Sequence, residues 1–270
     1  MKKTLIALSI LTALLYACKD EDVITYPDLI STQASRDHLI AEAIFNDIER
    51  VVEDGFIDNG ESKSCPTYTL KKLNTTDQDT LIIDFGDGSD VCISYGNIKS
   101  GKIIVIYTGK YRDSLSVMTT TFDNYHVNNN LVQGERIVTN QGRNNNGNMW
   151  FTIEVKDANI NTSNGTINWE SIREREWVAG ITTFFNIFDD SYSITGSANG
   201  NGVNGNSFTM TITEPLQVEL GCLPSCIIKS GEAKISPTGY ADRIINYGDS
   251  ICDCNIDVTR NGTTYPIVIN

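Results

Sequence analysis

From about residue 66 onward, apolar and polar positions alternate with a period of two along most of the chain. Such alternation is typical of β-strands that bury one face and expose the other. The segments that show it are 80–85, 102–108, 115–122, 132–140, 149–156, 165–177 and 208–220. Runs rich in Asn and Gly, which tolerate the positive φ of tight turns, separate several of them. We therefore predict a mainly β fold, an antiparallel meander of long hairpins that forms either a sandwich or an open half-barrel.

Before the strands, residues 29–54 repeat apolar positions at helical spacing and predict one N-terminal amphipathic helix. Its apolar side carries Ile40, Ile44, Ile48, Val51 and Val52, and its polar side carries Glu42, Asn46, Glu49 and Arg50. Ser31 and Ser35 are candidate N-caps, and Gly55 is predicted to end the helix. His38 and Phe45 are predicted to pack near the apolar edge. Because one apolar stripe needs a surface to cover, we expect the helix to lie on the sheet.

The chain begins with two lysines and a short apolar run, residues 5–17, that closes on Leu15-Tyr16-Ala17-Cys18. The run is shorter than the roughly 20 residues that span a bilayer, so residues 1–17 are predicted to be a cleaved signal peptide. The tetrapeptide resembles a bacterial lipobox, in which the cysteine thiol accepts a diacylglyceryl group. We predict lipidation of Cys18, with palmitate-type acyl chains that hold the protein in the lipid bilayer.

Residues 18–28 contain the acidic run Lys19-Asp20-Glu21-Asp22 and are predicted to form a tether. The run also resembles the export signal of surface-exposed lipoproteins of the Bacteroidota, which implies an outer-membrane location facing the exterior. Residues 29–270 are predicted to form a single β-rich domain. The formal net charge of -13 at pH 7 opposes contact with nucleic acid, because phosphate binding depends on Lys and Arg.

Six cysteines follow Cys18, and in an exported protein an even number predicts three disulfides. They are Cys65, Cys92, Cys222, Cys226, Cys252 and Cys254. The stretch 65–92, with Ile83-Asp84-Phe85-Gly86-Asp87, is echoed in 226–252 by Ile245-Asn246-Tyr247-Gly248-Asp249. The matching spacings predict bridges Cys65–Cys92 and Cys226–Cys252, which leaves Cys222 for Cys254. A four-thiolate zinc site from the last four cysteines is the alternative, although Cys-x-Cys spacing suits zinc poorly.

Asp84, Asp87 and Asp90 surround two glycines, a composition that suits a calcium loop with oxygen ligands. The spacing does not fit an EF-hand. The alternative is a glycine turn at a strand end, in which the aspartates accept backbone hydrogen bonds.

Trp169, Arg173, Arg175 and Trp177 share one face of a predicted strand, with glutamates on the other face. Indole rings stack on sugars and guanidinium groups hold carboxylates or hydroxyls, so this face is the candidate ligand-binding surface for a glycan or a protein. The alternative is a core tryptophan pair with arginines stacked over it and paired to carboxylates on neighbouring strands.

The chain has only two histidines, His38 and His126, in different contexts. A triad enzyme therefore has almost no base to choose from, and His126 is predicted to be a cross-strand packing residue. We name no catalytic residue, although a hydrolase that uses paired carboxylates remains an alternative.

The order of the lipobox, the acidic run, the helix and several later motifs resembles a family of uncharacterised Bacteroidota lipoproteins. The later motifs are Asp84-Phe85-Gly86-Asp87, Tyr107-Thr108-Gly109-Lys110-Tyr111, Thr121-Phe122-Asp123-Asn124-Tyr125 and Asn246-Tyr247-Gly248-Asp249. The resemblance implies a surface location and a β-rich body, and it transfers no catalytic residue. Three functions follow as expectations. The first is a non-enzymatic surface protein with a binding or scaffold role, the second a glycan hydrolase, and the third a half-barrel carrier of a lipid-like ligand with the helix as its plug.

Overall fold

The structure, a computed structural model, describes residues 33–58, 64–72, 78–183, 186–223 and 226–268. The predicted signal peptide, Cys18, the tether and residues 29–32 of the predicted helix lie outside these ranges. The helix α1 spans Gln33–Asp58. The strands are β1 Thr67–Lys71, β2 Asp79–Asp84, β3 Cys92–Ser94, β4 Asn97–Tyr107, β5 Val117–Val127, β6 Asn130–Arg143, β7 Met149–Thr162, β8 Gly165–Ala179, β9 Ser191–Asn201, β10 Ser207–Glu219, β11 Ile228–Pro237, β12 Arg243–Asp249, β13 Asn255–Arg260 and β14 Thr263–Val268. Short 3₁₀ turns lie at Ile187–Asp189 and Leu220–Cys222.

All fourteen strands belong to one antiparallel sheet whose order follows the chain, apart from β3, which pairs only with β4. The described strands do not close the sheet, because β1 and β14 stand at opposite edges. This confirms the mainly β antiparallel meander. Helix α1 contacts β2, β8 and β11, which lie far apart in the strand order. One helix can touch all three only if the sheet curves around it, so the architecture is an open half-barrel rather than a sandwich.

Bulges interrupt the long hairpins and allow the sheet to coil. Gly134 occupies one of them, between Gln133 and Glu135 on β6, where the register against β7 shifts. Its φ is +114°, and a Cβ there would lie 2.7 Å from the Cα of Ala158. Only glycine fits this position, because it combines the positive φ with the absence of a side chain.

Helix α1 ends four residues later and is more deeply buried than the sequence pattern predicts. It continues through Gly55 to Asp58, so the prediction that Gly55 ends the helix is wrong. Gly55 is instead the point of closest approach to the sheet, where a Cβ would lie 2.9 Å from Leu81 Cδ2. Ser35 lies inside the helix and is buried, whereas Ile40 of the predicted apolar side is exposed.

The core fills the space between α1 and the concave face of the sheet. Phe45 of the helix stacks on Trp169 of β8 with ring centroids 5.5 Å apart, and it meets Phe122 of β5 edge-on at 6.1 Å. The inward-facing positions of β8 alternate strictly with exposed ones, as the period of two predicts. The packing of Phe45 predicted from the sequence is therefore confirmed.

Three disulfides join the six described cysteines, but only one predicted pairing is correct. Cys65 bonds Cys92 as predicted, whereas Cys222 bonds Cys252 and Cys226 bonds Cys254. The predicted pairs Cys226–Cys252 and Cys222–Cys254 are wrong, because matching spacings place the cysteines correctly only if the chain stays extended after β12. Ser250 has a φ of +80°, and the N–H of Asp253 bonds the carbonyl of Ile251. This tight turn moves the two cysteines out of the strand register.

Candidate functional site

The predicted binding residues of β8 all lie on the inner face beneath α1, with 3–6% of each residue exposed. Trp169 Nε1 donates to His38 Nδ1 at 3.1 Å, and Trp177 Nε1 donates to Asp190 Oδ1 at 3.2 Å. Arg175 stacks over the ring of Tyr192, 4.9 Å from its centroid. These contacts match the alternative of buried tryptophans with arginines packed beside them. They differ from it in one respect, because the carboxylates that pair with the arginines come from the helix and not from neighbouring strands.

The helix supplies the carboxylates that neutralise these arginines. Glu49 accepts hydrogen bonds from Arg136 Nη2 of β6 at 2.6 Å and from Arg175 Nη1 of β8. Glu42 accepts from Arg173 Nη2 at 3.2 Å and from the hydroxyl of Tyr247 at 2.9 Å. The side of the helix that the pattern assigns to solvent therefore faces the sheet. The signal for this burial was the pair of arginines on the inward face of β8.

The same contacts separate the ionisation of neighbouring glutamates. Burial alone would raise the pKa of Glu49, but the attraction of Arg136 and Arg175 outweighs it and lowers that pKa. Burial, together with the charge of Glu49 one turn away, raises the pKa of Glu53 to about 7. At neutral pH, Glu53 is therefore partly protonated and able to donate a hydrogen bond.

A cleft opens between one edge of the helix and the strands β6 to β11. It holds about 860 Å³ of empty space, part of it open to solvent. The helix side is polar and includes Asn46, Arg50 and Glu53. Toward β9, β10 and β11 the lining is mainly aliphatic and consists of Ile194, Leu216, Val218, Leu220, Ile227 and Ile228. Trp169, Arg173 and Arg175, three of the four predicted binding residues, also border the cleft, whereas Trp177 does not.

Two arginines in the cleft keep hydrogen-bonding capacity. The Nε–H groups of Arg50 and Arg175 are buried and have no hydrogen-bond partner in the described part of the protein. Buried donors of this kind are costly unless a ligand or water satisfies them. Together with Glu53 they offer donors to an oxygen-bearing group that enters the cleft.

Both histidines have structural surroundings. His38 is fully buried in α1, and its burial lowers its pKa to about 4 against the opposing attraction of Glu42. The Nε2 atom of His38 lies 3.6 Å from Glu42 Oε2. His126 is half-buried on β5, where its Nδ1 lies 2.9 Å from the carbonyl oxygen of Asn124.

The three aspartates of the predicted calcium loop make local contacts. Asp84 Oδ1 accepts from the N–H of Gly86 at 2.9 Å, and Asp84 Oδ2 pairs with Lys102 Nζ at 3.0 Å. Asp87 Oδ1 accepts from the N–H of Ser89 at 2.9 Å, and Asp90 is exposed. Within the described ranges, no group of three or more His, Cys, Asp or Glu residues is placed to hold a metal ion. The geometry is that of the alternative, a turn held by backbone hydrogen bonds.

Comparison of the chain with protein families, curated proteins and solved structures gave no match. The described part of the chain contains no helix of the length and apolar character that crossing a bilayer requires.

Proposed function

We propose that the protein is a cell-envelope lipoprotein that binds an amphiphilic ligand without catalysis. Cys18 anchors it in the outer membrane, facing the exterior, as the lipobox and the acidic run after it indicate. The cleft carries the proposal for the ligand, because one of its sides is apolar and the other bears hydrogen-bond donors. This is the carrier function expected of a half-barrel with a helix inside it.

The two sides of the cleft define the chemistry of the ligand. Six aliphatic side chains on the sheet side favour a hydrocarbon chain, at about 0.8 kcal/mol for each buried CH₂. Elsewhere in the cleft, Glu53 of α1 in its protonated form and the free Nε–H groups of Arg50 of α1 and Arg175 of β8 favour an oxygen-bearing head group. A molecule with one acyl chain and a carboxylate or carbonyl head fits both sides.

The glutamates of the cleft favour binding over hydrolysis. Paired-carboxylate hydrolases need one carboxylate with free lone pairs as a nucleophile or base and a second as an acid. Arg136 and Arg175 hold both oxygens of Glu49, and Arg173 and Tyr247 hold both oxygens of Glu42. Glu53 alone remains as an acid, without a free carboxylate partner among these three.

Binding of the fluorescent fatty acid 11-dansylaminoundecanoic acid tests the cleft. We expect saturable binding that weakens about tenfold or more in Ile228→Trp, because the larger side chain fills the apolar side. Ile172→Trp is the matched control, since Ile172 is an exposed isoleucine on the outer face of β8. Equal affinity of the two variants, or no binding of the probe to the wild type, would refute the proposed ligand.

Fractionation of cells tests the anchor separately. The wild-type protein should sediment with the outer membrane and be digested by protease added to intact cells. A Cys18→Ala variant should lose the acyl chains and leave the membrane fraction. Membrane association that survives this substitution would contradict anchoring through Cys18.

A further inference from the structure

The third tryptophan of the chain has surroundings unlike those of the other two. Trp150 lies on β7 between the buried residues Met149 and Phe151, so its side chain is on the outer, convex face of the sheet. It is half-buried, and its indole N–H has no hydrogen-bond partner among the described residues. A large aromatic side chain on a solvent-facing sheet surface is typical of binding surfaces.

A pocket of about 550 Å³, part of it open solvent, surrounds Trp150 on this face. Its other members come from the two next strands and from the turn between β6 and β7. They are Asn144, Glu174, Glu176, Ser193 and Thr195, with Arg175 between the two glutamates. The strand register places Trp150 opposite Glu176, and Glu176 opposite Ser193. The side chains therefore form a row across three strands, in which directly paired Cβ atoms lie about 5 Å apart.

The Asn-rich turn holds one wall of this pocket in place. Asn148 Nδ2 donates to Glu176 Oε1 at 2.8 Å. Asn144 Oδ1 accepts from the N–H groups of Asn146 and Asn148, both at 3.0 Å, which fixes the turn itself. Hydrogen bonds from Asn144 and Asn148 lower the pKa of Glu176, so this side chain is an ionised acceptor at neutral pH.

We propose that Trp150, Glu174 and Glu176 form a binding site for a neutral glycan on the outer face of the sheet. A pyranose ring has a face of C–H groups that stacks on indole and a rim of hydroxyls that donate to carboxylates. Ser193, Thr195 and Asn144 add smaller hydrogen-bonding groups at the rim. Two carboxylates within one pocket repel sulfated, phosphorylated or uronic sugars, so the site selects neutral ones.

The proposal is for binding, because Glu176 does not suit the role of a general acid. A general acid needs a raised pKa, and that of Glu176 is lowered. The pocket also lies on the opposite face of the sheet from α1 and its cleft, because successive residues of β8 point to opposite sides. Arg175 is the one residue that borders both sites, and the proposed glycan contacts of Trp150, Glu174 and Glu176 do not involve the cleft, so failure of one proposal leaves the other standing.

Intrinsic tryptophan fluorescence reports on the site directly. Trp169 and Trp177 are each 3% exposed, so Trp150 is the tryptophan most accessible to an added sugar, and the Trp150→Ala variant identifies the source of any change in emission. The probes are maltohexaose, cellohexaose, mannohexaose and xylohexaose, with oligogalacturonate as the charged comparison. We expect at least one neutral hexasaccharide to shift the emission at millimolar concentration or below, and oligogalacturonate to have no effect.

Isothermal titration of variants with the bound hexasaccharide provides the decisive test. Trp150→Ala should weaken binding at least about tenfold, and Glu176→Gln, which preserves the shape of the pocket, should weaken it several-fold. Ile172 is exposed on β8, the strand of Glu176, and lies outside the pocket, so the Ile172→Ala variant should bind the hexasaccharide like the wild type. The proposal is overturned if no neutral hexasaccharide binds, if Trp150→Ala binds equally well, or if the charged oligosaccharide binds best.

Discussion

Single residues on the helix show why its charged side is buried. Asp47 pairs with Lys99 Nζ at 2.8 Å, and Glu42 and Glu49 each face arginines of the sheet. Buried ion pairs add little net stability compared with apolar packing, but loss of one partner costs about 3–5 kcal/mol, because it leaves a buried charge alone. Each carboxylate is thus matched to particular side chains of the sheet, which opposes sliding or rotation of the helix.

Arg173 helps to keep His38 neutral, and Arg173→Met tests this effect. The pKa of His38 is about 4 because burial, and to a lesser extent Arg173, disfavour its charged form against the attraction of Glu42. Removal of Arg173 leaves burial as the remaining effect that opposes the attraction of Glu42, so the pKa of His38 should rise above 4. Proton NMR titration measures this pKa, since the chain has only two histidines and their signals are few enough to assign. An unchanged titration of His38 would contradict the assignment.

The same residue predicts how stability depends on pH. The pKa of His38 is lower in the folded state than the unfolded value of 6.5, so the unfolded chain binds the proton first on acidification. Its contribution to the free energy of unfolding is therefore complete above pH 6.5 and is lost as the pH falls toward 4. In Arg173→Met the pH range over which this stability is lost should be narrower, because the pKa of His38 in the folded state is closer to its unfolded value.

The pKa of Glu53 is shifted in the opposite direction to that of His38, so its contribution to stability depends on pH in the opposite sense. Its folded pKa of about 7 exceeds the usual 4.5, so the stability that it contributes is complete below pH 4.5 and lost as the pH rises to 7. Glu53→Gln removes this loss and should increase the free energy of unfolding by about 1–2 kcal/mol at pH 8, with little change at pH 4.5. Urea denaturation at both pH values measures it, with the exposed Glu170→Gln as control. A gain of equal size at both pH values would exclude a titration effect.

At the level of the elements, Gly55 shows how packing outweighs local propensity. Alanine is about 1 kcal/mol better than glycine inside a helix, so Gly55→Ala should stabilise α1 considered alone. In the folded protein its Cβ would lie 2.9 Å from Leu81 Cδ2 and 3.0 Å from Tyr68 Cδ1. We therefore expect a net loss of about 1–2 kcal/mol in urea denaturation. Ala43→Gly, at a half-buried helical position, gives the size of the propensity term alone, and a Gly55→Ala variant more stable than the wild type would contradict the close approach.

The element patterns explain what the sequence could reveal and what it could not. A period of two along β8 correctly separates Trp169 and Arg175 from Glu176, because strand geometry is local. The placement of Glu49 was missed, since a helical pattern distinguishes apolar from polar sides but not water from an arginine on another strand. Trp150 was overlooked for a related reason, because its pocket depends on the register of β7, β8 and β9 and on the fold of the turn that precedes β7.

For the whole molecule, the disulfides divide the sheet into parts with a covalent cross-link and a part without one. Cys65–Cys92 links the start of β1 to β3, and the other two bridges link the connection before β11 to the connection after β12. The long hairpins from β5 to β9 contain none. They are held by the hydrogen bonds of the sheet, by α1 and by the aromatic core. The bridges restrain the edge strand β1 and, near the opposite edge, the segments on either side of β11 and β12. An edge strand such as β1 has a neighbour on one side only, so a covalent link there replaces support that a closed sheet would supply.

The pairing of the last four cysteines is testable with paired substitutions. Cys222→Ser with Cys252→Ser leaves Cys226 and Cys254, whose Cα atoms are 5.1 Å apart and already bonded. This variant should have no free thiol and lose roughly 3–4 kcal/mol, the chain-entropy value for the loop that Cys222–Cys252 closes.

The second variant, Cys222→Ser with Cys254→Ser, leaves Cys226 and Cys252, which the turn at 251–253 separates. Two thiols should therefore react with iodoacetamide, and the loss of stability should be larger. Mass measurement after alkylation under denaturing conditions distinguishes the two. Free thiols in the first variant and none in the second would restore the pairing that spacing alone predicts, and with it an extended chain through Cys252.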